Sequence, residues 1–525
     1  MSIDTAIRKI RTDAKMSQEQ FASVFGVSRQ SVQKWESGES VPEIGKIIKI
    51  AKYFDVSADT LLFDSDTRIT EELSSSKDIK PKYANISDWE MYSANLMTEY
   101  AQSIEEGLDV ERYKDIFEAV SRLPKGEIKK RFGNIIFDIV LNADTAEGYK
   151  YTEPSELERI KCLRKGNVKK REKPEKSILE DKIYGAWLGR ICGCLLGKTV
   201  EGIRTNELIP FLKETGNYPM HRYIMRSEVT DEMCERYKYR FAKRCYADTC
   251  NGMPVDDDTN YTVMAQLIVE KCGRNFTPYD VSRAWLKYQG KDAYCTAERV
   301  AYKNFVNGYE PPESAKYMNP YREWIGAQIR GDYFGYINPG DPEAAADMAF
   351  RDACISHVKN GIYGEMFVSA MIAGAAVTSD IEEIIEIGLG EIPHTSRLYE
   401  SVTSVLNEYR SGVTAEECFR NIHEKWNEYT THGWCHTISN AMIVTAALLY
   451  GGGDYGRSVC MAVETGFDTD CNGATVGSVL GMALGSACIS DEWSRPINDT
   501  LYTSIFGVDK LSIKECARKT LAHVE

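Results

Sequence analysis

Two stretches of the chain carry a glycine at every fourth position, and this pattern restricts the possible fold more than any other feature. Glycine inside a helix costs about 0.5–1 kcal/mol relative to alanine, so eight such residues need a compensating role. A spacing of four places each set along one helix face, where the missing side chains let another backbone approach closely. We therefore predict two tightly packed central helices, which contain Gly185, Gly189, Gly193 and Gly197 in one case and Gly473, Gly477, Gly481 and Gly485 in the other.

Two dense clusters of acidic residues lie far apart in the chain. One consists of Asp256, Asp257 and Asp258, and the other contains Asp468 and Asp470. Carboxylates this close repel one another unless a cation lies between them, and Mg²⁺ and Ca²⁺ take oxygen ligands. Because the clusters come from distant positions, we predict a metal site that the fold assembles, as in metal-assisted hydrolysis. The alternative is that these aspartates cap helices or are solvated at the surface.

The composition limits the classes of partner. With 525 residues, of which 43% are hydrophobic and 27% charged, the chain has an ordinary globular composition and room for several domains. The net charge of −14 argues against nucleic-acid binding by the whole surface, so any such contact must be local. The apolar run at residues 366–377 is shorter than the roughly 20 residues of a membrane span. Fifteen scattered cysteines without a Cys-x-x-Cys pair favour reduced thiols, so we expect a cytoplasmic protein with no membrane partner.

Helical periodicity predicts an all-α protein in three parts. Residues 1–66 form a compact bundle of five short helices, the last of which begins at Ser57 and continues through Leu61 and Leu62. Residues 67–176 begin with a polar linker, continue as a small helical module and end in a charged, exposed hinge at residues 164–176. Residues 177–525 form one large helical domain with little strand alternation.

The N-terminal part resembles the lambda-repressor-like, XRE-type helix-turn-helix family over nearly all of residues 5–63, and most clearly in residues 16–22 and 26–36. The resemblance implies binding of double-stranded DNA. It assigns the helix-opening Gln18 to a backbone phosphate, and it directs a set of recognition-helix residues at the major groove or its flanking phosphates: Arg29, Gln30, Ser31, Gln33 and Lys34. Independently of the resemblance, Gln and Arg can make paired hydrogen bonds to adenine and guanine, whereas Lys suits phosphate.

The N-terminal part also raises the questions of oligomeric state and of an alternative role. Half-site geometry would require a homodimer, with the helical module after the linker as the dimerising element. The alternative to DNA binding is a helical protein-interaction module with an incidental polar helix.

The large domain resembles the ADP-ribosylglycohydrolase family. Three motifs carry the resemblance in the family's order: Gly-Ala-Trp-Leu-Gly with Gly-Cys-Leu-Leu-Gly-Lys-Thr-Val-Glu at residues 185–201, the cluster at residues 256–259, and Gly-Phe-Asp-Thr-Asp-Cys at residues 466–471. The resemblance covers roughly residues 177–485. It implies an all-helical fold, two Mg²⁺ ions at the bottom of a cleft, and hydrolysis of a glycosidic bond at the anomeric carbon of ADP-ribose.

The family roles transfer to matching positions of this sequence. The predicted metal ligands are Asp256, Asp257, Asp258, Asp468, Asp470 and Cys471. The resemblance gives Glu201 a catalytic or substrate-positioning role. Two positions depart from the family pattern, because Cys471 replaces a threonine and Cys194 replaces an aspartate. A thiol is a poor ligand for Mg²⁺.

Residues between the metal motifs match the family's substrate-contacting positions more loosely. Gly326 could let backbone N–H groups approach a phosphate, Arg330 could supply positive charge, and His357 could contact the ribose. A structural arginine–carboxylate pair and a buried, hydrogen-bonded histidine are the alternatives. For His432 and His436 nothing favours catalysis over core packing.

Together these motifs lead to one hypothesis and two rivals. The hypothesis is a Mg²⁺-dependent hydrolase that cleaves the glycosidic bond of an ADP-ribosylated protein or an ADP-ribose-like small molecule, coupled to sequence-specific DNA binding. The first rival is a transcriptional regulator whose large domain senses an ADP-ribose or nucleoside ligand without turnover. The second is an N-glycosidase that acts on a small nucleoside or sugar conjugate.

Overall fold

The structure, a computed structural model, describes residues 3–56, 61, 81–166, 168–237 and 244–524. The chain forms two compact units, Met1–Lys82 and Tyr83–Glu525. Within the described residues nearly all regular structure is helical, and one short antiparallel hairpin is the sheet content of that part. The prediction of an all-α protein is confirmed.

The first unit is built from four described helices: α1 (Ile3–Asp13), α2 (Gln18–Phe25), α3 (Arg29–Glu36) and α4 (Ile44–Tyr53). Ser17 begins α2 with a reciprocal cap, in which its side chain accepts from the Gln20 backbone N–H and the Gln20 side chain accepts from the Ser17 N–H. Gly26 ends α2 in the left-handed conformation with φ 61°. The fifth helix predicted from Ser57 falls outside the described residues, except for the buried Leu61.

The second unit begins with short 3₁₀ turns and four helices, of which the first three share a small apolar core while Ile160 of the fourth packs into the main core. The helices are α5 (Leu96–Glu105), α6 (Lys114–Ser121), α7 (Glu127–Leu141) and α8 (Leu157–Cys162), and the 3₁₀ turns are Tyr83–Asn85, Asp88–Glu90, Tyr92–Ala94 and Glu111–Tyr113. The polar linker predicted from residue 67 falls mostly outside the described residues.

Residues 83–176 belong to the same compact unit as the large domain, which differs from the separate module that the sequence suggests. Buried charge pairs explain the difference, since Arg322 binds Glu99 at 2.8 Å and Glu106 at 2.5 Å. The predicted exposed hinge also makes contacts with the large domain. The side chain of Arg164 in this segment is 9% exposed and pairs with Glu391 at 2.8 Å.

The remainder of the unit is a succession of helices, with the hairpin immediately before the last of them. The α-helices are α9 (Lys176–Lys198), α10 (Thr205–Glu214), α11 (Asp231–Arg236), α12 (Asp257–Cys272), α13 (Pro278–Tyr288), α14 (Thr296–Val306), α15 (Glu313–Lys316), α16 (Asp332–Tyr336), α17 (Pro342–Ala353), α18 (Lys359–Ala375), α19 (Ile381–Gly390), α20 (Arg397–Arg410), α21 (Ala415–Lys425), α22 (Thr431–Cys435), α23 (Thr437–Gly451), α24 (Tyr455–Glu464), α25 (Thr469–Leu484), α26 (Asp491–Ser494) and α27 (Ile513–Ala522). The strands β1 (Thr500–Tyr502) and β2 (Lys510–Ser512) pair in antiparallel register. Among the described helices, none is both long and apolar enough to cross a membrane.

Helices α9 and α25 pack with their glycine faces against each other, as the spacing predicts. A Cβ atom on Gly193 would lie 2.0 Å from the carbonyl oxygen of Gly473, and one on Gly197 would lie 2.2 Å from that of Thr469. Only residues without a side chain permit this approach of two backbones. The contact therefore fixes the C-terminal end of α9 beside the N-terminal end of α25, which is where the second acidic cluster begins.

Candidate metal centre and helix-turn-helix surface

The two acidic clusters meet at the N-termini of two helices. Asp257 and Asp258 begin α12, while Asp468 precedes α25 and Asp470 lies in its first turn. The Sγ atom of Cys471 lies 3.2 Å from Asp258 Oδ2, so the clusters are in direct contact although they are 213 residues apart in sequence. The fold thus brings carboxylates of both clusters together, with Asp257 half-buried and the other four aspartates buried.

Asp256 differs from its neighbours because hydrogen-bond donors of the protein engage both of its carboxylate oxygens. Its Oδ1 accepts from the backbone N–H of Asp258 at 2.9 Å and so caps α12. Its Oδ2 accepts from Lys198 Nζ at 2.5 Å, across a pair in which the carboxylate is fully buried. The capping alternative considered above therefore describes Asp256 well.

Asp258 also has a positively charged partner within the protein. Arg190 is buried and donates from Nη2 to both the carbonyl oxygen of Asp258, at 2.9 Å, and its Oδ1, at 3.3 Å. The same guanidinium pairs with Asp332 at 2.9 Å. One arginine therefore compensates part of the charge of two buried carboxylates.

Asp257, Asp468 and Asp470 are the carboxylates of the centre for which the structure gives no lysine or arginine ion pair within the described residues. Burial first, and then the charges of neighbouring carboxylates, raise the pKa of Asp257 to about 8 and that of Asp468 to about 7. The Oδ1 atom of Asp470 is buried without a hydrogen-bond partner in this part of the chain. The raised pKa values and the unsatisfied buried oxygen indicate that these three carboxylates lack a directly paired positive charge, and their oxygen donors fit a hard divalent cation.

Thiols surround this centre. Ligand atoms of Cys471, Asp468 and Asp470 lie within 4.8 Å of one another, and the same holds for Cys194, Asp256 and Asp258. The centre is therefore poorer in oxygen donors than a site in which the two thiol positions carry threonine and aspartate.

Glu201 follows the end of α9 beside these clusters. Burial first, and then the negative charge of Asp256, raise the pKa of its carboxyl. Its backbone carbonyl accepts from Arg244 Nη2 at 2.8 Å, which fixes the local chain. Glu201 thus lies close enough to the acidic clusters for the charge of Asp256 to affect its carboxyl.

The positions predicted to contact substrate are mostly engaged by protein groups. Arg330 is buried and pairs with Asp352 at 2.5 Å and with Glu298 at 2.9 Å, and a Cβ on Gly326 would lie 1.9 Å from a Glu298 oxygen. The structural arginine–carboxylate pair, one of the two alternatives, accounts for these contacts. Buried His357 has its Nδ1 2.8 Å from the hydroxyl of Ser356 and leaves Nε2 without a hydrogen-bond partner among the described residues.

Sequence reasoning missed Arg190 and Lys198, the cations of the centre. Both lie on α9, eight residues apart with Cys194 midway between them, next to the glycine face. That stripe at positions 190, 194 and 198 was visible in the sequence beside glycines 189, 193 and 197. Two basic residues on one helix face, next to the close-packed glycine face, are the signal that could have located Arg190 and Lys198.

A second group of possible ligands consists of His432, His436 and Glu105. His432 Nδ1 accepts from Trp324 Nε1–H at 3.1 Å, and His436 Nδ1 accepts from the backbone N–H of Ile438 at 3.1 Å. A neutral imidazole that accepts at Nδ1 carries its proton on Nε2, and both Nε2 atoms face Glu105 Oε2, at 3.1 and 3.5 Å. A protonated nitrogen cannot ligate a metal, so this arrangement is a set of donors around one carboxylate and agrees with packing in the core.

The helix-turn-helix unit exposes most of the residues predicted to contact DNA. Arg29, Gln30, Gln33 and Lys34 are exposed on α3, whereas Ser31 is half-buried. The hydroxyl of Ser31 lies 2.9 Å from that of Ser28, the cap of α3.

Gln18 differs from the others because its side chain has a partner inside the unit. Its Nε2 donates to Glu36 Oε2 at 2.9 Å, and the buried Glu36 also pairs with Arg11 at 2.6 Å. Gln18 is thus part of an intramolecular polar network that joins three helices of the unit.

The fold and the site define a helix-turn-helix unit followed by an all-helical unit with a buried carboxylate centre. The chain belongs to the ADP-ribosylglycohydrolase family, whose sequence model matches residues 175–522, more than half of the chain. A helix-turn-helix family model matches residues 7–61.

Individual proteins match parts of the chain. The HTH-type transcriptional activator BcrR of Enterococcus faecalis is 31% identical over 83 residues, which are 16% of this chain and 41% of that protein. The cryptic phage CTXphi transcriptional repressor RstR of Vibrio cholerae is 33% identical over 69 residues, which are 13% of this chain and 62% of that protein. The chain thus spans less than two thirds of either relative. A solved structure described as an ADP-ribosylglycohydrolase-related protein complex is similar over 66% of this chain and 98% of its own, with 17% identity and a TM-score of 0.40.

Proposed function

We propose that the protein is a DNA-binding glycohydrolase that removes ADP-ribose, or a related sugar, from a protein or a small molecule with the help of a divalent cation. The observation that supports this most is that half-buried Asp257 and Glu201 lie near the buried Asp468 and Asp470 in one centre. Family membership supports the reaction class, and the unsatisfied oxygen of Asp470 supports a bound cation.

Asp257, Asp468 and Asp470 would hold a Mg²⁺ ion, which supplies positive charge that orients ribose hydroxyls and polarises water. The transition state of glycosidic cleavage resembles an oxocarbenium ion, so the sugar must be held with its anomeric carbon open to water. Buried carboxylates on the rigid first turns of α12 and α25 are suited to such positioning.

Glu201 would orient the ribose or accept the proton of the attacking water. A general base works best when its pKa is near the working pH, and burial beside Asp256 shifts the pKa of Glu201 upward from its usual range. Buried His357 is kept neutral because burial lowers its pKa, and its Nε2–H would be free to donate to a ribose or phosphate oxygen.

Hydrolysis is tested by incubating the full chain with ADP-ribosylated protein and with small ADP-ribose conjugates, with Mg²⁺ or with a chelator. We expect release of ADP-ribose with Mg²⁺, its loss with chelator, and its loss in Asp468→Asn. Asp491→Asn is a matched control, because Asp491 is an exposed carboxylate in the first turn of another helix. Absence of product with every substrate, or full activity of Asp468→Asn, would contradict the proposal.

A ligand sensor without turnover is the second candidate, and the Cys471–Asp258 contact favours it because a thiol occupies a ligand position. Calorimetry with ADP-ribose, combined with product analysis by mass spectrometry, separates the two. Binding without product, together with a change of DNA affinity on adding ADP-ribose, would favour the sensor. Release of a free base from a nucleoside would instead indicate the small-molecule N-glycosidase.

The helix-turn-helix unit would bind double-stranded DNA through α3, and the exposed Arg29, Gln30, Gln33 and Lys34 support this assignment. Two such units reading two half-sites would require a homodimer. Selection of binding sites from a random duplex library tests sequence specificity. Analytical ultracentrifugation with and without the selected duplex tests whether two chains bind together. A selected duplex that contains a single half-site and binds one chain would contradict the homodimer.

A further inference from the structure

We propose that the ammonium group of Lys198 takes the place of one of the two metal ions that the family resemblance implies, so that the centre binds a single divalent cation. This inference rests on metal binding as proposed above. It names one side chain of this protein as the second positive charge of the site.

Lys198 lies in direct contact with one of the acidic clusters. Its Nζ lies 2.5 Å from Asp256 Oδ2 inside a pair whose carboxylate is fully buried. Burial opposes the charge of this ammonium, but Asp256 and then Asp470 outweigh it and raise the pKa of Lys198, so carboxylates of both acidic clusters favour its charged form. A second cation bound to the same Asp256 oxygen would lie within a few ångströms of Nζ and be repelled by it.

The remaining atoms around Asp256 are also unfavourable for a metal ion. Its other oxygen caps α12, and Cys194, on α9 one turn before Lys198, offers sulfur where Mg²⁺ requires oxygen. Asp258 next to it is paired with Arg190. Asp256 and Asp258 therefore each have a positively charged partner from α9 inside the protein.

The other side of the centre has the opposite character. Asp257, Asp468 and Asp470 form no ion pair with lysine or arginine in the described part of the chain, and the buried Asp470 Oδ1 has no hydrogen-bond partner there. An unpartnered, buried carboxylate oxygen beside two further carboxylates is a site for one cation. The asymmetry predicts one bound ion, on the α25 side.

The experiment counts bound ions directly. The full chain, stripped of metal, is titrated with Mn²⁺, which is paramagnetic and shares the preference of Mg²⁺ for oxygen ligands, and free Mn²⁺ is measured by electron paramagnetic resonance. We expect one Mn²⁺ per chain in the wild-type protein. We expect a second, weaker Mn²⁺ site in Lys198→Gln, because Asp256 Oδ2 loses its ammonium partner while Cys194 and the helix cap remain.

Two variants serve as controls. Lys198→Arg retains the positive charge and is expected to bind one Mn²⁺. Lys182→Gln removes a lysine from the same helix whose Nζ donates to backbone carbonyls, including that of Ala483 at 2.8 Å, and is expected to bind one Mn²⁺. Far-ultraviolet circular dichroism confirms that each variant is folded.

Two Mn²⁺ ions in the wild-type protein, or one ion in both the wild type and a folded Lys198→Gln, would overturn the inference. Should Lys198→Gln not fold, the counts for the wild type and Lys198→Arg still decide it. Hydrolysis measured on the same samples keeps the two proposals apart. One ion without hydrolysis would support this inference and contradict only the proposed enzyme, whereas hydrolysis with two ions would contradict only this inference.

Discussion

Gly189 and Gly477 face each other where the two central helices cross, so that a Cβ atom on either residue would lie 2.2 Å from the carbonyl oxygen of the other. The obstacle on each side is backbone, which cannot turn away as a side chain can. The same crossing holds the ends of α9 and α25 together, and with them Lys198 and the second acidic cluster. This close packing of α9 against α25 therefore supports the candidate site.

Replacement of Gly189 or Gly477 by alanine is expected to destabilise the protein. A methyl group would force the two backbones apart, and overpacking of this kind costs about 1–3 kcal/mol or more. Urea denaturation measures the loss. Gly290→Ala is the control, because its Cβ would meet the nearest atom, on Phe506, at an ordinary 3.7 Å. Equal stability of Gly189→Ala and Gly290→Ala would contradict the packing argument.

Metal affinity is expected to rise as the pH increases from 6 to about 8.5. Burial raises the pKa of Asp468 to about 7 and of Asp257 to about 8, so both carboxyls carry protons below these values and must lose them to bind a cation. Calorimetry of Mg²⁺ binding in two buffers of different ionisation enthalpy measures the released protons. Proton release should fall in Asp468→Asn, and pH-independent affinity would show that these carboxyls are ionised without metal.

Loss of the charge of Glu323 is expected to destabilise the second unit strongly. Glu323 is fully buried and accepts from Arg397 Nη2 at 2.7 Å and from the backbone N–H of Asn360 at 2.9 Å. Although burial alone would raise its pKa, the positive charge of Arg397 lowers it to about 2. Breaking a buried ion pair costs about 3–5 kcal/mol, so Glu323→Gln should lower the free energy of unfolding by that amount.

The control for Glu323 is Glu382, which pairs with Arg410 at 2.7 Å on the surface. Exposed pairs contribute about 0–1 kcal/mol, so Glu382→Gln should change little. The sign of the pH dependence follows from the lowered pKa. The Glu323 contribution is present above the unfolded value of about 4.3 and disappears as the pH falls towards 2, so the difference between wild type and Glu323→Gln should shrink in acid.

Replacement of Lys34 or Arg29 by alanine is expected to lower the affinity for DNA and to make that affinity less dependent on salt concentration. Each lost phosphate contact should lower the slope of log affinity against log salt by about 1. Fluorescence anisotropy with the selected duplex at several salt concentrations measures the slope. Lys49→Ala removes the same charge from an exposed position on α4 and serves as control. Identical slopes for Lys34→Ala and Lys49→Ala would indicate that the charge acts only at long range.

Gln18→Ala is expected to lower stability even without DNA. The amide hydrogen bond to buried Glu36 would be lost, and a hydrogen bond to a charged group contributes about 1.5–3 kcal/mol. Thermal denaturation of the full chain measures the change, as a shift in the unfolding temperature of the first unit. Gln30→Ala is the control, because Gln30 is exposed on α3. A phosphate-binding role alone would leave the stability of both variants unchanged.

Local signals in the sequence were enough to predict the helical class, the helix-turn-helix unit and the packing of α9 against α25. These depend on local signals, because Ser17 and Gln20 cap a helix wherever they stand three apart, and glycines at every fourth position share one face. The sequence also located both acidic clusters. The members of each cluster are neighbours in the chain, so they can be recognised without knowledge of the fold.

The positively charged partner of each carboxylate, in contrast, could be identified only from the folded structure. Asp256, Asp257 and Asp258 are alike as neighbours in the sequence, yet Asp256 pairs with Lys198, Asp258 pairs with Arg190, and Asp257 has neither partner. Likewise Arg322 joins Glu99 and Glu106 across more than 200 residues and so draws the middle segment into the large unit. Charge compensation depends on distances between residues remote in the chain, and only the folded backbone sets those distances.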